Sequence, residues 1–216
     1  ATMGPAPDAA QRAALLAVPG ARHEHGDYRL EWMDEPWDDV ARAGEWLLAL
    51  ERALAPDVVH LNGYAHGALP WRAPAVVVAH SCVCSWWRAV HGEAAPARYD
   101  AYRAAVRAGL DAARVVVAPT AAMLDALRAE HGGAWTGRVI ANGRDARRFV
   151  PGAKGPLVLT AGRVWDAAKN VGAVVRAAGA LPAGWSVEVA GDEARRAGAV
   201  GGSVRGVGGA RASVRW

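Results

Sequence analysis

Six short apolar runs, rich in β-branched residues, recur along the chain with amphipathic stretches between several of them. They are residues 57–61 (DVVHL), 75–79 (AVVVA), 114–118 (RVVVA), 138–141 (RVIA), 156–160 (PLVLT) and 186–190 (SVEVA). Each is too short for a buried helix, and most lack the polar alternation of a half-exposed strand. The pattern predicts strands covered on both faces of a parallel sheet. The intervening stretches read as helices. Residues 38–55 place Val40, Ala43, Leu47, Leu50 and Leu54 on one face, with Asp38 as the cap and Pro56 as the stop. Further helices are predicted over 96–112, over 120–131 with Thr120 as N-cap and Gly132-Gly133 as terminator, and over 167–178. Alternating strands and helices make the class α/β with a mostly parallel sheet.

Residues 142–154 (NGRDARRFVPGAK) break this rhythm with polar and turn-forming residues. They read as a linker between a unit at 1–141 and the start of a second at 155–192. Residues 193–216 are dominated by Gly, Ala, Arg, Val and Ser. They form a low-complexity tail in which little regular structure is expected. Its glycines do not follow a strand in the spacing of a dinucleotide fingerprint.

The hydrophobic share of 52% suffices for a core. No apolar run is long enough to span a membrane, and no secretory signal is visible. The net charge of +4 comes from arginines scattered among carboxylates, with Lys154 and Lys169 the only lysines. That distribution speaks against a nucleic-acid surface. Cys82 and Cys84, one residue apart, are poorly spaced for a disulfide and lack further ligands at metal-site spacing, so they read as small buried residues of a reducing compartment. His23 and His25 likewise lack a third ligand, and no metal site is expected. The carboxylates at 31–39 read as helix-capping charge rather than a hydrolytic pair. Trp86 and Trp87 read as packing residues.

The segment 157–170 (LVLTAGRVWDAAKN) carries the sharpest chemical signal. A strand ends at Gly162, Arg163 follows, and Lys169 lies where a helix is expected to begin. Cations there oppose the helix dipole, which favours a functional role, and the arrangement suits a diphosphate. At the ends of earlier strands lie His80, with the reading of a hydrogen-bonded structural histidine left open beside a ligand contact, and Asn62, Gly63, Tyr64 and His66. Gly63 lets backbone approach a ligand. Tyr64 and His66 fit a packed turn equally well, and Thr120 fits a helix cap.

Taken in order, HLNGYAHG, VVVAHS, VVVAPTAAML, VIANGRDARRF, LVLTAGRVWDAAKN and VEVAGD resemble the central part of a family 4 glycosyltransferase. The resemblance implies the GT-B fold: a Rossmann-like acceptor-side domain with a parallel sheet and the beginning of a second, donor-binding Rossmann-like domain. It implies a cytoplasmic enzyme, with contact at the inner face of a membrane left open. The reaction is transfer of a sugar from a nucleotide-sugar donor to a glycan, lipid or small-molecule acceptor, with retention and no metal or other cofactor. In this reading Gly162, Arg163 and Lys169 hold the diphosphate, and His80 contacts the donor sugar. Gly63, Tyr64 and Thr120 face the acceptor, and Asn142 and Gly143 form a hinge. The family's first strand would lie before Ala1, and its Glu-x7-Glu motif is not found after VEVAGD. A truncated or frame-shifted product without activity of its own is therefore expected. The rival readings are a sugar-binding module and a nucleotide-sugar epimerase.

Overall fold

Parallel strands cannot be joined by tight turns, so each pairing needs a crossover. Every strand pairing among the described residues is parallel. The computed structural model describes residues 1–191 and the strand at 212–215. It divides into two compact units, Ala1–Gly143 and Arg144–Trp216.

In the first unit, β1 (Thr2–Met3), α1 (Ala9–Leu16) and β2 (His25–Gly26) precede α2 (Trp37–Leu54). Then come β3 (Val59–Leu61), β4 (Ala75–Val78), α3 (Val83–His91), α4 (Asp100–Ala112), β5 (Val115–Ala118), α5 (Ala121–His131) and β6 (Gly137–Val139). Strands β3 to β6 form a four-stranded sheet in sequence order, while β1 and β2 pair separately. Short 3₁₀ turns at Ala65–Ala68 and Ala97–Tyr99 complete the connections.

The core lies where α3, α4 and α5 meet the sheet. Val77, Val106, Leu110, Val116 and Leu127 are fully enclosed there. Each such side chain contributes about 1.5–3 kcal/mol relative to exposure. Helix α4 buries Tyr102, Val106, Gly109 and Leu110, a face at helical spacing. Helix α2 ends at Ala55 in the left-handed region (φ 43°), just before Pro56. Its start differs from expectation: the cap position is Pro36 without a side-chain bond, and Asp38 and Asp39 lie inside the first turn. There they still complement the helix dipole. Thr120 caps α5 as its sequence indicates, Oγ1 accepting from the Met123 N–H at 3.1 Å.

Helices α1 and α3 were not foreseen. In α3 the Cys, Trp and Val residues (VCSWWRAVH) carry little helix propensity, and tertiary packing decides the state.

The second unit comprises β7 (Leu157–Ala161), α6 (Val171–Ala177), β8 (Ser186–Ala190) and β9 (Ala212–Arg215), in a three-stranded parallel sheet of that order. β9 falls within the tail expected to lack regular structure; the rest of that tail lies outside the described residues. Two expectations are corrected here. The helix foreseen over 167–178 is broken. Asp166 Oδ1 accepts from the Ala168 N–H at 3.0 Å, closing a 3₁₀ turn over Ala167–Lys169. Asn170 then adopts φ 44°, a conformation its short polar side chain tolerates. Only after it does α6 begin. β7 is also not covered on both faces: Leu157 and Leu159, on one face, are 41% and 60% exposed. Among the described residues no helix is long and apolar enough to cross a membrane.

Candidate functional site

Because β3 and β4 are adjacent, parallel and paired with Leu61 opposite Val77, the chain leaves both strands at the same sheet edge. Asn62 follows β3 directly, and His80 lies two residues past β4. Their exposed side chains meet there, with His80 Nε2 3.0 Å from Asn62 Oδ1. With the amide oxygen as acceptor, Nε2 is the donating nitrogen of the ring. The carboxyl edge of a parallel sheet is where such folds bind ligands. The structure thus joins two of the singled-out residues in one pair.

The neighbouring loop is built around a carboxylate that sequence reasoning assigned only to helix capping. Glu31 accepts from the Tyr64 N–H at 2.9 and 3.1 Å through its two oxygens, and from the Ala65 N–H at 2.7 Å. It thereby satisfies the open end of the 3₁₀ turn Ala65–Ala68. Burial raises the Glu31 carboxyl above its ordinary 4.5, outweighing the lowering by these two N–H groups. A separation of 33 residues between Glu31 and Tyr64 left no local signal for this contact.

Tyr64 itself belongs to the core. Its hydroxyl donates to the Ser81 carbonyl at 2.9 Å, and burial pushes its pKa upward. His66 is also buried, Nε2 lying 3.0 Å from the Val40 carbonyl. At Gly63 a Cβ would meet Glu31 at 3.6 Å, an ordinary contact, so packing does not require glycine there. Thr120 is exposed and spends its hydroxyl on the cap. A cavity of about 580 Å³ runs along β3, bounded by Leu61, Asn62 and Gly63 on one side and Leu30, Glu31 and Met3 on another.

In the second unit, Gly162 directly follows β7, its N–H bonded to the Ala190 carbonyl at 2.9 Å. Arg163 is exposed but held: Nη2 donates to Asp166 Oδ2 at 2.6 Å, and the guanidinium lies 5.2 Å from the Trp165 ring centre. Asp166 is buried and also closes the following turn. The Lys169 stem passes over Gly162, where a Cβ would come within 3.3 Å of Cγ. Arg163 and Lys169 therefore share the carboxyl edge of β7. Lys169 sits on the 3₁₀ turn just before Asn170, the cap position of α6, rather than within the first turn of a helix. Asn142 and Gly143 are exposed, in a segment without helix or strand.

Beneath His80 lies a cluster that the sequence did not disclose. Cys82 stands at the N-cap position of α3, Cys84 is in its first turn, and His131 is the last residue of α5. All three are buried, their ligand atoms lie within 4.8 Å of one another, and Cys82 Sγ is 3.2 Å from His131 Nε2. The hydrogen bond from the Cys84 S–H, aided by His131, holds the Cys82 thiol below its ordinary range against the opposing effect of burial. Cys84, as the donor, is pushed up. His131 is 49 residues from Cys82, which is why spacing alone gave no hint.

Helices, loops and edge residues of this first unit fall within one family match. A family model described as Glycosyltransferase Family 4 matches residues 2–148, more than half of the chain. Arg163 and Lys169 lie beyond the matched stretch. No curated protein matches the chain.

Proposed function

The chain belongs to glycosyltransferase family 4, and on that premise we propose that it takes part in moving a sugar from a nucleotide-sugar donor to a glycan, lipid or small-molecule acceptor, with retention at the anomeric carbon. Membership in the family implies a sugar donor and an acceptor in general; the nucleotide diphosphate, the stereochemistry and the residue roles are our reading. The observation that supports it most directly is the Asn62–His80 pair at the carboxyl edge of β3 and β4.

In this reading His80 contacts the donor sugar, and Asn62 sets the orientation and tautomer of its imidazole. As the bond between the anomeric carbon and the β-phosphate oxygen breaks, the electron pair goes to the diphosphate. The acceptor oxygen bonds to the anomeric carbon and gives its proton to the departing phosphate oxygen. Arg163 and Lys169 offset the negative charge that develops on the leaving group. The Arg163–Asp166 pair fixes the guanidinium without removing it from solvent, since the Arg163 side chain stays 57% exposed. Residues 63 and 120 lie on the acceptor side. No metal or cofactor is assigned to the transfer step.

Calorimetric titration of the full chain with a panel of nucleoside diphosphates and their sugar conjugates tests this reading. Loss of Arg163 and Lys169 together, each to Ala, is expected to weaken diphosphate binding at least about tenfold, as for charge-assisted hydrogen bonds. His80→Ala should leave diphosphate affinity intact and abolish the preference for the sugar-bearing form. If no nucleoside diphosphate binds while free sugars do, a sugar-binding module replaces the transferase reading. A changed sugar on the same nucleotide, with no acceptor consumed, would identify an epimerase.

A further inference from the structure

The buried Cys82, Cys84 and His131 are not used by the proposed chemistry. Cys82 and Cys84 are the only cysteines in the chain, and both are free. We propose that Cys82 Sγ, Cys84 Sγ and His131 Nε2 bind one thiophilic closed-shell cation, Zn²⁺ or Cu(I), which clips the β4–α3 junction to the end of α5.

Three observations carry this. The first is spacing. Around an ion with bonds of about 2.3 Å to sulfur and about 2.0–2.1 Å to nitrogen, ligand atoms stand roughly 3.3–4 Å apart. The three ligand atoms already lie within 4.8 Å of one another, with the Cys82–His131 pair at 3.2 Å.

The second is the uncompensated burial of His131. Among the described residues its Nδ1 has no hydrogen-bond partner, and its Nε2 meets a sulfur, that of Cys82. Burying an imidazole on such terms is costly, because sulfur is a weak hydrogen-bond partner. A coordinate bond at Nε2 would replace that weak sulfur contact with a strong one.

The third is the rigidity of the elements that present the ligands. Arg88 of α3 pairs with Glu130 of α5. The Tyr102 hydroxyl accepts from the Val83 N–H at 3.3 Å, between the two cysteines. Just past His131, the Trp135 indole donates to the Gly132 carbonyl at 2.7 Å. Both ends of the site are thus fixed by contacts that do not involve the ligands.

Two thiolates and one imidazole form a soft donor set, unsuited to Ca²⁺ or Mg²⁺. Zn²⁺ would cancel the charge of the two thiolates in an interior that tolerates net charge poorly. Cu(I) is equally at home with thiolate ligands. The consequence for the fold is local. His80 and Ser81 form the turn between β4 and Cys82, so an ion here would hold that turn and the exposed imidazole of His80 in place. The site stands whether or not the transferase reading does.

The test uses the full chain, reduced and handled without oxygen. Separate portions are loaded with Zn²⁺ or with Cu(I), desalted against a weak chelator, and assayed for metal content and by X-ray absorption. The expected result is one ion per chain, with two sulfur neighbours and one imidazole nitrogen, for at least one of the two cations. Cys84→Ser and His131→Gln should each weaken retention by about tenfold or more, with circular dichroism confirming that the variants are folded. Replacing Zn²⁺ with Co²⁺ in the wild-type chain gives a readout independent of any variant: a thiolate-to-cobalt charge-transfer band is expected. The proposal fails if the wild-type chain retains neither ion. It also fails if the bound ion has no sulfur neighbour, or if folded Cys84→Ser and His131→Gln chains retain it undiminished.

Discussion

Gly109 has no room for a side chain. A Cβ there would stand 1.9 Å from the Tyr64 carbonyl oxygen, a backbone atom that cannot rotate away. This close approach seats the 3₁₀ turn Ala65–Ala68 on α4 and so fixes the loop that follows β3. Gly109→Ala should lower stability by about 3 kcal/mol or more, at the upper end of overpacking costs. A denaturant titration with an unchanged slope and a lower midpoint would bear this out; an unchanged midpoint would show that the turn can lift off α4 freely. Glu31 is the second residue on which this loop depends. Glu31→Ala leaves the Tyr64 and Ala65 N–H groups without their acceptor and should cost about 2 kcal/mol. Its titration has a definite sign. The folded pKa is raised above 4.5, because burial outweighs the hydrogen bonds to Tyr64 and Ala65 and the attraction of His66, with Cys82 adding a smaller raising effect. The fold therefore binds this proton more tightly than the unfolded chain does. The corresponding stability is fully present below 4.5 and is lost as pH rises through the folded value. Glu31→Gln removes that dependence. The difference in unfolding free energy between wild type and Glu31→Gln should thus shift in favour of Gln as pH is raised from 4 toward neutrality. A constant difference would mean that Glu31 titrates as an ordinary exposed carboxyl.

At the scale of elements, α5 shows how local and tertiary signals combine. Thr120 is a cap by residue type and by geometry, and Thr120→Ala should cost about 1 kcal/mol. Thermal unfolding of that variant, with titration of a panel of candidate acceptor sugars alongside, would distinguish a cap from an acceptor contact. A loss of stability with unchanged ligand affinity fits the cap alone. The same helix delivers His131 to the two cysteines, a role for which its sequence carries no mark. The strands were legible because β-branched apolar runs of this length have few alternatives in a parallel sheet. The helix over 167–178 was misjudged because propensity says nothing about Asp166. That residue turns the chain with one oxygen while holding Arg163 with the other. Exposure of Leu157 and Leu159 was equally invisible, since an apolar strand reads alike whether one face or both are covered.

At the scale of the molecule, the division between Gly143 and Arg144 separates a unit matched by the family model from a segment largely beyond it. Residues 142–156 are exposed, with only the 3₁₀ turn Ala146–Arg148 among them. Exposed backbone of this kind is the preferred site of proteolytic nicking. Brief trypsin treatment should therefore accumulate a product that begins at Ala1 and ends at Arg144, Arg147, Arg148 or Lys154. Disappearance of the first unit as fast as the linker is cut would show that its core does not stand on its own.

The sequence by itself determined the parallel α/β class, the positions of the main strands, the cap at Thr120 and the family resemblance. These follow from local chemistry: side-chain branching, helical spacing, turn residues and short motifs in a fixed order. Tertiary structure alone decided that Asn62 meets His80, that Glu31 closes the loop after β3, and that His131 joins Cys82 and Cys84. It also decided that Tyr64 packs into the core. Those outcomes depend on which segments lie side by side once the sheet has formed, and contacts between residues 17 to 49 positions apart leave no period or spacing in the chain to read.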